Sequence, residues 1–184
     1  GSSRVGWMLK SKLAPGTRCA LEHGGVAPVI VSADADLDDV VERVAKGGFY
    51  HAGQVCVSVQ RIFCDNQIVD VFSQKLAEAA GKLKVGDPTK PDTDVGPLIS
   101  EKECQRVADW VQEAIDGGAS LHAGGKKISG TCYEPTVLVG ANKNAKISTS
   151  EVFGPVVSIY SYDDIDNAIA EANSLPVSFQ AAVF

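Results

Sequence analysis

An α/β fold, with a largely parallel sheet and helices on both faces, is what this sequence predicts. Short β-branched runs alternate with longer stretches of helical periodicity, and glycines close those stretches. At 184 residues the chain is also long enough for one core, which at this size buries about 70% of the unfolded chain's surface.

The elements follow in order. Arg18 to Glu22 and Pro28 to Ser32 are β-prone runs separated by Gly24-Gly25, so two strands are expected there. Leu37, Val40, Val41, Val44 and Ala45 then recur at helical spacing behind Asp34, a residue able to cap, with Asp36, Asp38 and Asp39 suiting the positive end of the helix dipole. Gln60 to Cys64 reads as a strand. Ile68, Val71, Phe72, Leu76, Ala79, Ala80 and Leu83 mark a helix ending near Gly86. Residues 85 to 99, with Pro88, Pro91 and Pro97, form a surface loop. Ser100 and Glu103 have the spacing of a capping box for a helix lined by Cys104, Val107, Ala108, Val111 and Ile115 and stopped at Gly117-Gly118. Strands fit Ser120 to Ala123, Val156 to Tyr160 and Ala181 to Phe184, and a fourth helix fits Ile165 to Ala172 behind Asp163. In a sheet of this kind ligands meet the carboxyl ends of the strands. The closing strand has nothing after it to cover it, so the polypeptide is expected to continue.

Composition narrows the function. Hydrophobic residues at 45% and charged residues at 22% are the balance of a soluble chain folded throughout. A net charge of −6 leaves no concentrated basic face for nucleic acid or an anionic membrane. No apolar run approaches the ~20 residues that span a bilayer, and the first residues lack a secretory signal. The expectation is an intracellular protein, cytoplasmic rather than organellar. Five cysteines without a CxxC pair suggest reduced thiols, with no metal framework and no disulfide set.

Three segments carry residues fit for chemistry. In the first, residues 47 to 56, a helix runs into glycines and reaches Cys56 ahead of a strand. A thiolate attacks carbonyls well, although a free cysteine is more often a small buried hydrophobe. The second is Leu21-Glu22-His23-Gly24-Gly25, where a carboxylate able to act as a base meets two glycines; alone, such an acid is more often a solvated strand end. The third is Glu151-Val152-Phe153-Gly154-Pro155, an acid and an aromatic ring at a Gly-Pro turn, where the carboxylate could accept hydrogen bonds from a ribose.

In this order the segments resemble the aldehyde dehydrogenase superfamily, whose pattern runs Glu-Leu-Gly-Gly, Gly-Gln-x-Cys, Glu-x-Phe-Gly-Pro. Gly1-Ser2-Ser3-Arg4-Val5-Gly6 looks like the family's turn beside the cofactor pyrophosphate, and Val95 to Ile99, Glu134-Pro135-Thr136 and the final Ala-Ala-Val-Phe also match. The resemblance covers nearly the whole chain. It implies the family's catalytic-domain fold over residues 1–184, truncated at both ends, with 1–22 carrying the end of the cofactor-binding region.

The resemblance further implies that Cys56 is the nucleophile and that its N–H helps hold the oxyanion. Glu22 would be the general base that hydrolyses the thioester, a task that burial of its carboxylate would suit. Gly1, Ser2 and Gly6 would lie on the pyrophosphate side, Glu151 on the nicotinamide ribose, and Phe153 near the nicotinamide ring. The cofactor is NAD or NADP, the substrate a small aldehyde, and the parent protein a homo-oligomer. His23 departs from the family's usual leucine. With most of the cofactor domain missing, the chain alone is expected to lack dehydrogenase activity. Two alternatives are a cofactor-independent thiol esterase pairing Cys56 with His51 or His23, and a non-catalytic assembly module.

Overall fold

Residues 29–31, 61–64 and 156–160 are buried without interruption and build the middle of the sheet, because a parallel strand covered on both faces has no wet side. The computed structural model describes residues 2–177 and 179–184. Its elements are α1 (Ser3–Lys10), β1 (Val29–Val31), α2 (Leu37–Phe49), β2 (Arg61–Asp65), α3 (Val69–Lys82), α4 (Glu101–Asp116), β3 (Ser120–Ala123), β4 (Lys127–Ser129), β5 (Cys132–Tyr133), β6 (Thr136–Val139), α5 (Lys146–Thr149), β7 (Val156–Tyr162), α6 (Ile165–Ala172) and β8 (Ala182–Val183). A 3-10 turn follows α2 at Tyr50–Gly53. The main sheet has the order β3-β6-β7-β2-β1-β8, and a small hairpin joins β4 to β5. All neighbours in the main sheet are parallel except β3 and β6.

Helices cover both faces. Gly48 of α2 lies against Val157 of β7, on the face that also carries Ile159. On the other face Arg61 reaches the C-terminal end of α6, donating to Glu171 O at 3.2 Å and Ala172 O at 2.9 Å, while Phe63 stacks on Tyr160. Among the described residues, no helix is long and apolar enough to cross a membrane.

Local signals place most helix starts, with shifts of a residue or two. The α2 cap is Asp36, which accepts from Asp38 N and Asp39 N; Asp34 instead accepts from Ser32 Oγ at 2.7 Å. Ser100 Oγ accepts from Glu103 N at 3.3 Å, but the Glu103 carboxylate turns to Arg106, so only half the capping box forms. Asp164 rather than Asp163 caps α6, since the Asp163 carboxylate is taken by Asn66.

Two expectations fail. Residues 18–22 form no strand: they pair with none of the six strands of the main sheet and run as irregular chain. The Gly1–Gly6 segment is not a turn. Ser2 is the N-cap of α1, which runs from Ser3 through Gly6, and Gly1 lies outside the described residues. Three strands went unforeseen: β4 and β5 of the small hairpin, and β6, which follows directly on Pro135.

Candidate active site

The loop that presents Cys56 is held by its own backbone. Ser58 Oγ donates to Gly47 O and Gly48 O at 3.4 and 3.3 Å, and Val59 N donates to Gly47 O at 3.0 Å, tying the loop to the end of α2. Between these anchors three successive residues are left-handed: His51 (φ 51°), Ala52 (φ 55°) and Gly53 (φ 68°). For two non-glycine residues such a backbone costs about 1–3 kcal/mol each, and it persists only where surrounding contacts impose it. Cys56 sits in the next turn, half-buried, closed by Ser58 N donating to Val55 O at 3.1 Å. Cys19 and Cys132 are likewise half-buried, whereas the remaining two cysteines differ. Cys64 is fully buried in β2, where burial pushes its thiol up to about 12, and Cys104 is buried in α4 with its thiol also raised by burial. Both are held as thiols rather than thiolates.

Glycines bring the motif-bearing segments together. A Cβ on Gly6 of α1 would overlap the His23 imidazole, a Cβ on Gly24 would overlap the Glu151 carboxylate, and a Cβ on Gly53 would overlap the Gly154 carbonyl. Segments distant in sequence therefore meet at van der Waals distance where a side chain would not fit. Gln54 adds a fifth segment. Its Nε2 donates to Pro97 O and His51 O, both at 3.2 Å, and its Oε1 accepts from Ile99 N at 2.9 Å. A sixth joins where Thr136 N donates to Pro155 O at 2.8 Å.

Charge and exposure sort the candidates. Glu151 is half-buried, one carboxylate oxygen has no hydrogen-bond partner, and burial raises its carboxyl above the usual range against the opposing pull of Arg106 and the nearby Gly25 N–H. Glu22, expected to profit from burial, is exposed. Its segment pairs with no strand and runs as irregular chain of exposed and half-buried residues. Phe153 is left-handed (φ 49°) and 42% exposed. It stands between a narrow crevice lined by Gly25, Val55, Ser58 and Glu151 and an open cleft of about 710 Å³ lined by His51, Gln54, Val55, Pro97 and Ile99. Cys56 follows Val55, the residue these two hollows share with Phe153. Ser2 is exposed at the head of α1, and Gly6 lies one turn on.

The histidines have other engagements. His23 packs edge-on to Trp7 at 5.6 Å, with a buried, unpartnered Nε2 over Gly6. His51 is exposed and tilted against Tyr50, and His122 lies exposed by Asp70 and Glu78. Sequence reasoning missed Gln60 and Arg106, both of which grip the chain around Glu151. Gln60 Oε1 accepts from Val152 N at 2.8 Å, and Arg106 Nη2 donates to Val152 O at 2.6 Å. Neither carried a sequence signal: Gln60 opens a β-prone run and Arg106 lies within a helix, both ordinary places for a solvated polar residue.

The chain matches the model of the aldehyde dehydrogenase family over residues 1–184. The chain belongs to that family. Among its relatives, 3-sulfolactaldehyde dehydrogenase of Priestia aryabhattai is 43% identical over 184 residues, all of this chain and 38% of that protein. Succinate-semialdehyde dehydrogenase (NADP+) of Escherichia coli is 38% identical over 176 residues, 94% of this chain and 36% of that protein. The crystal structure of betaine aldehyde dehydrogenase from Staphylococcus aureus in complex with NAD+ superposes with a TM-score of 0.93 at 34% identity, covering 100% of this chain and 38% of that one. This aldehyde dehydrogenase family chain thus spans well under half the length of the relatives it matches.

Proposed function

We propose that this chain is the part of an NAD(P)-dependent aldehyde dehydrogenase that forms and hydrolyses the covalent intermediate, the whole protein oxidising an aldehyde to a carboxylic acid. The supporting observation is the meeting of the Gly6, Glu22–Gly25, Gly53–Cys56 and Glu151–Gly154 segments through glycines with no room for a Cβ. Residues 1–184 would be catalytic-domain chain, with 1–22 the end of the cofactor-binding region. That α1 has no buried residue supports the division.

In this reading the Cys56 thiolate attacks the aldehyde carbonyl carbon, and the Cys56 N–H donates to the resulting oxyanion. Glu151 and Phe153 fit the nicotinamide end of the cofactor: the first has an unpartnered carboxylate oxygen for a ribose hydroxyl, the second an exposed ring at the cleft. A bound nicotinamide would supply the acceptor for the hydride. The acyl group remains on Sγ as a thioester, and Glu22 takes a proton from the water that attacks it, releasing the acid and the Cys56 thiolate. An exposed carboxylate returns that proton directly to solvent. Ser2 and Gly6 would face the pyrophosphate, where the head of α1 offers free backbone N–H groups.

The test is kinetic, in the full-length protein carrying this chain, with aldehydes bearing an acid group screened first because two relatives are named for such substrates. Cys56→Ser should abolish cofactor reduction. Glu22→Gln should leave a single burst of reduced cofactor per site without turnover. Full steady-state activity in either variant would refute the assignment. The 184-residue chain alone should bind NAD weakly or not at all, which micromolar affinity by calorimetry would contradict. Assembly into a homo-oligomer is expected of the whole protein and is read by sedimentation. The esterase alternative would need an imidazole at Cys56, whereas His23 is engaged with Trp7 and Gly6, and His51 is exposed against Tyr50. Loss of nitrophenyl ester cleavage in His51→Ala but not in Glu22→Gln would favour it.

A further inference from the structure

Gln60 lies one residue ahead of β2 and four after Cys56, and it is 4% exposed. Its backbone is anchored in the sheet, where its carbonyl accepts from Ser158 N at 2.8 Å. Its side chain points across to the segment carrying Glu151 and is fully used. Nε2 donates to Ile147 O and to Ser150 O, and Oε1 accepts from Val152 N, each at 2.8 Å. The carbonyl immediately before Glu151 and the amide immediately after it are therefore held by one side chain. Val152 is gripped on its other side by Arg106, through its carbonyl. The next residue, Phe153, is left-handed, a conformation that lasts only where its surroundings impose it.

We infer that Gln60 is the positioning residue that sets Glu151 and Phe153 relative to Cys56, coupling the nucleophile's strand to the cofactor-facing turn. This rests on the reading of Glu151 as the ribose ligand. The chemistry of the side chain selects the role. Two carbonyls and one N–H must be satisfied from a single direction, which needs two N–H donors and an oxygen acceptor on one group, and only a primary amide supplies that. Asparagine has the group but is one methylene short. Glutamate offers no donor at neutral pH, and methionine fills the volume with no hydrogen bond. An apolar residue would suffice if the position only filled the core.

The experiment uses the full-length protein with Gln60→Met, and Gln60→Asn as a milder variant should the first fold poorly. Each is made alone and combined with Glu151→Gln. Leaving three buried polar groups unpaired should raise the cofactor KM on the order of tenfold. The aldehyde KM and the rate of Cys56 alkylation without cofactor should stay within about twofold, because the loop holding Cys56 is anchored separately through Ser58. In the Glu151→Gln background, Gln60→Met should add less than about twofold to the cofactor KM, the mark of two residues acting as one unit. Hydrogen exchange of the peptide spanning Ile147 to Phe153 should quicken in Gln60→Met without cofactor present. Additive effects, an unchanged cofactor KM or unchanged exchange would each overturn the inference. If Glu151→Gln raises the cofactor KM while Gln60→Met does not, the positioning role alone falls. Should Glu151→Gln have no effect, the ribose reading falls and takes this inference with it.

Discussion

Replacing Gly53 with alanine tests whether the cysteine loop and the Glu151 turn are pressed together as tightly as the backbone implies. Gly53 has φ 68°, where an L-residue costs about 1–2 kcal/mol. The added Cβ would lie 2.5 Å from the Gly154 carbonyl carbon and 3.1 Å from Pro155 N, closer than it can approach without displacing main chain. Such overpacking typically costs a further 1–3 kcal/mol, roughly. A total of about 3 kcal/mol corresponds to a fall in Tm of about 6–12 °C for a domain of this size. The control is Gly81→Ala in α3, where a Cβ meets nothing within 4 Å and alanine should match or exceed the parent's stability. Both are read by thermal melts, with iodoacetamide labelling of Cys56 reporting the loop. If Gly53→Ala melts within about 2 °C of the parent, the close packing of the two segments is refuted.

Other perturbations separate the parts of the site. Iodoacetamide at pH 8 should label Cys56 and leave Cys64 and Cys104 unmodified until the chain is unfolded, since burial raises both of those thiols; mass mapping that finds Cys64 alkylated in native protein would contradict this. Gly24→Ala should push the Glu151 carboxylate aside and weaken cofactor binding in the full-length protein while Cys56 labelling is unchanged, because the obstructing atoms belong to a side chain end rather than to backbone. Glu151→Gln should stabilise the fold near neutral pH. The Glu151 carboxyl is raised in the folded state, so its contribution is most favourable below the unfolded value and becomes unfavourable as pH rises through the folded one. The advantage of the variant in urea melts should therefore shrink on acidification, and an advantage independent of pH would count against burial as the cause.

Elements whose signals are local were legible in the sequence. Ser100, the Asp36–Asp39 run and the Gly117-Gly118 stop act within one turn of their helices, so spacing alone placed α2 and α4. Strands are less legible because a strand exists only by virtue of a partner. The β-prone residues 18–22 pair with no strand and stay irregular, whereas Thr136 to Val139 pair on both sides, with β3 and β7. No periodicity within either run distinguishes the two cases. The antiparallel β3 has the same origin: its direction is set by where the chain returns, after β4 and β5, and not by its own residues.

For the site, residue types were legible and proximity was not. Cys56, Glu22, Glu151 and Phe153 could be singled out by motif, but that Gly24 abuts Glu151 and Gly53 abuts Gly154 is a statement about loops some hundred residues apart, which local spacing does not encode. Gln60 shows the limit most sharply. On the sequence it is a polar residue opening a strand, the pattern of a solvated end, yet it is buried and all three hydrogen-bonding positions it uses are directed at main chain around residue 151. A buried amide with its donors and acceptor all matched costs little, whereas the same amide half-matched would be worse than a hydrocarbon. Its tolerance in the core therefore depends on the turn it holds, and the left-handed Phe153 beyond that turn depends in return on Val152 being gripped at both its N–H and its carbonyl.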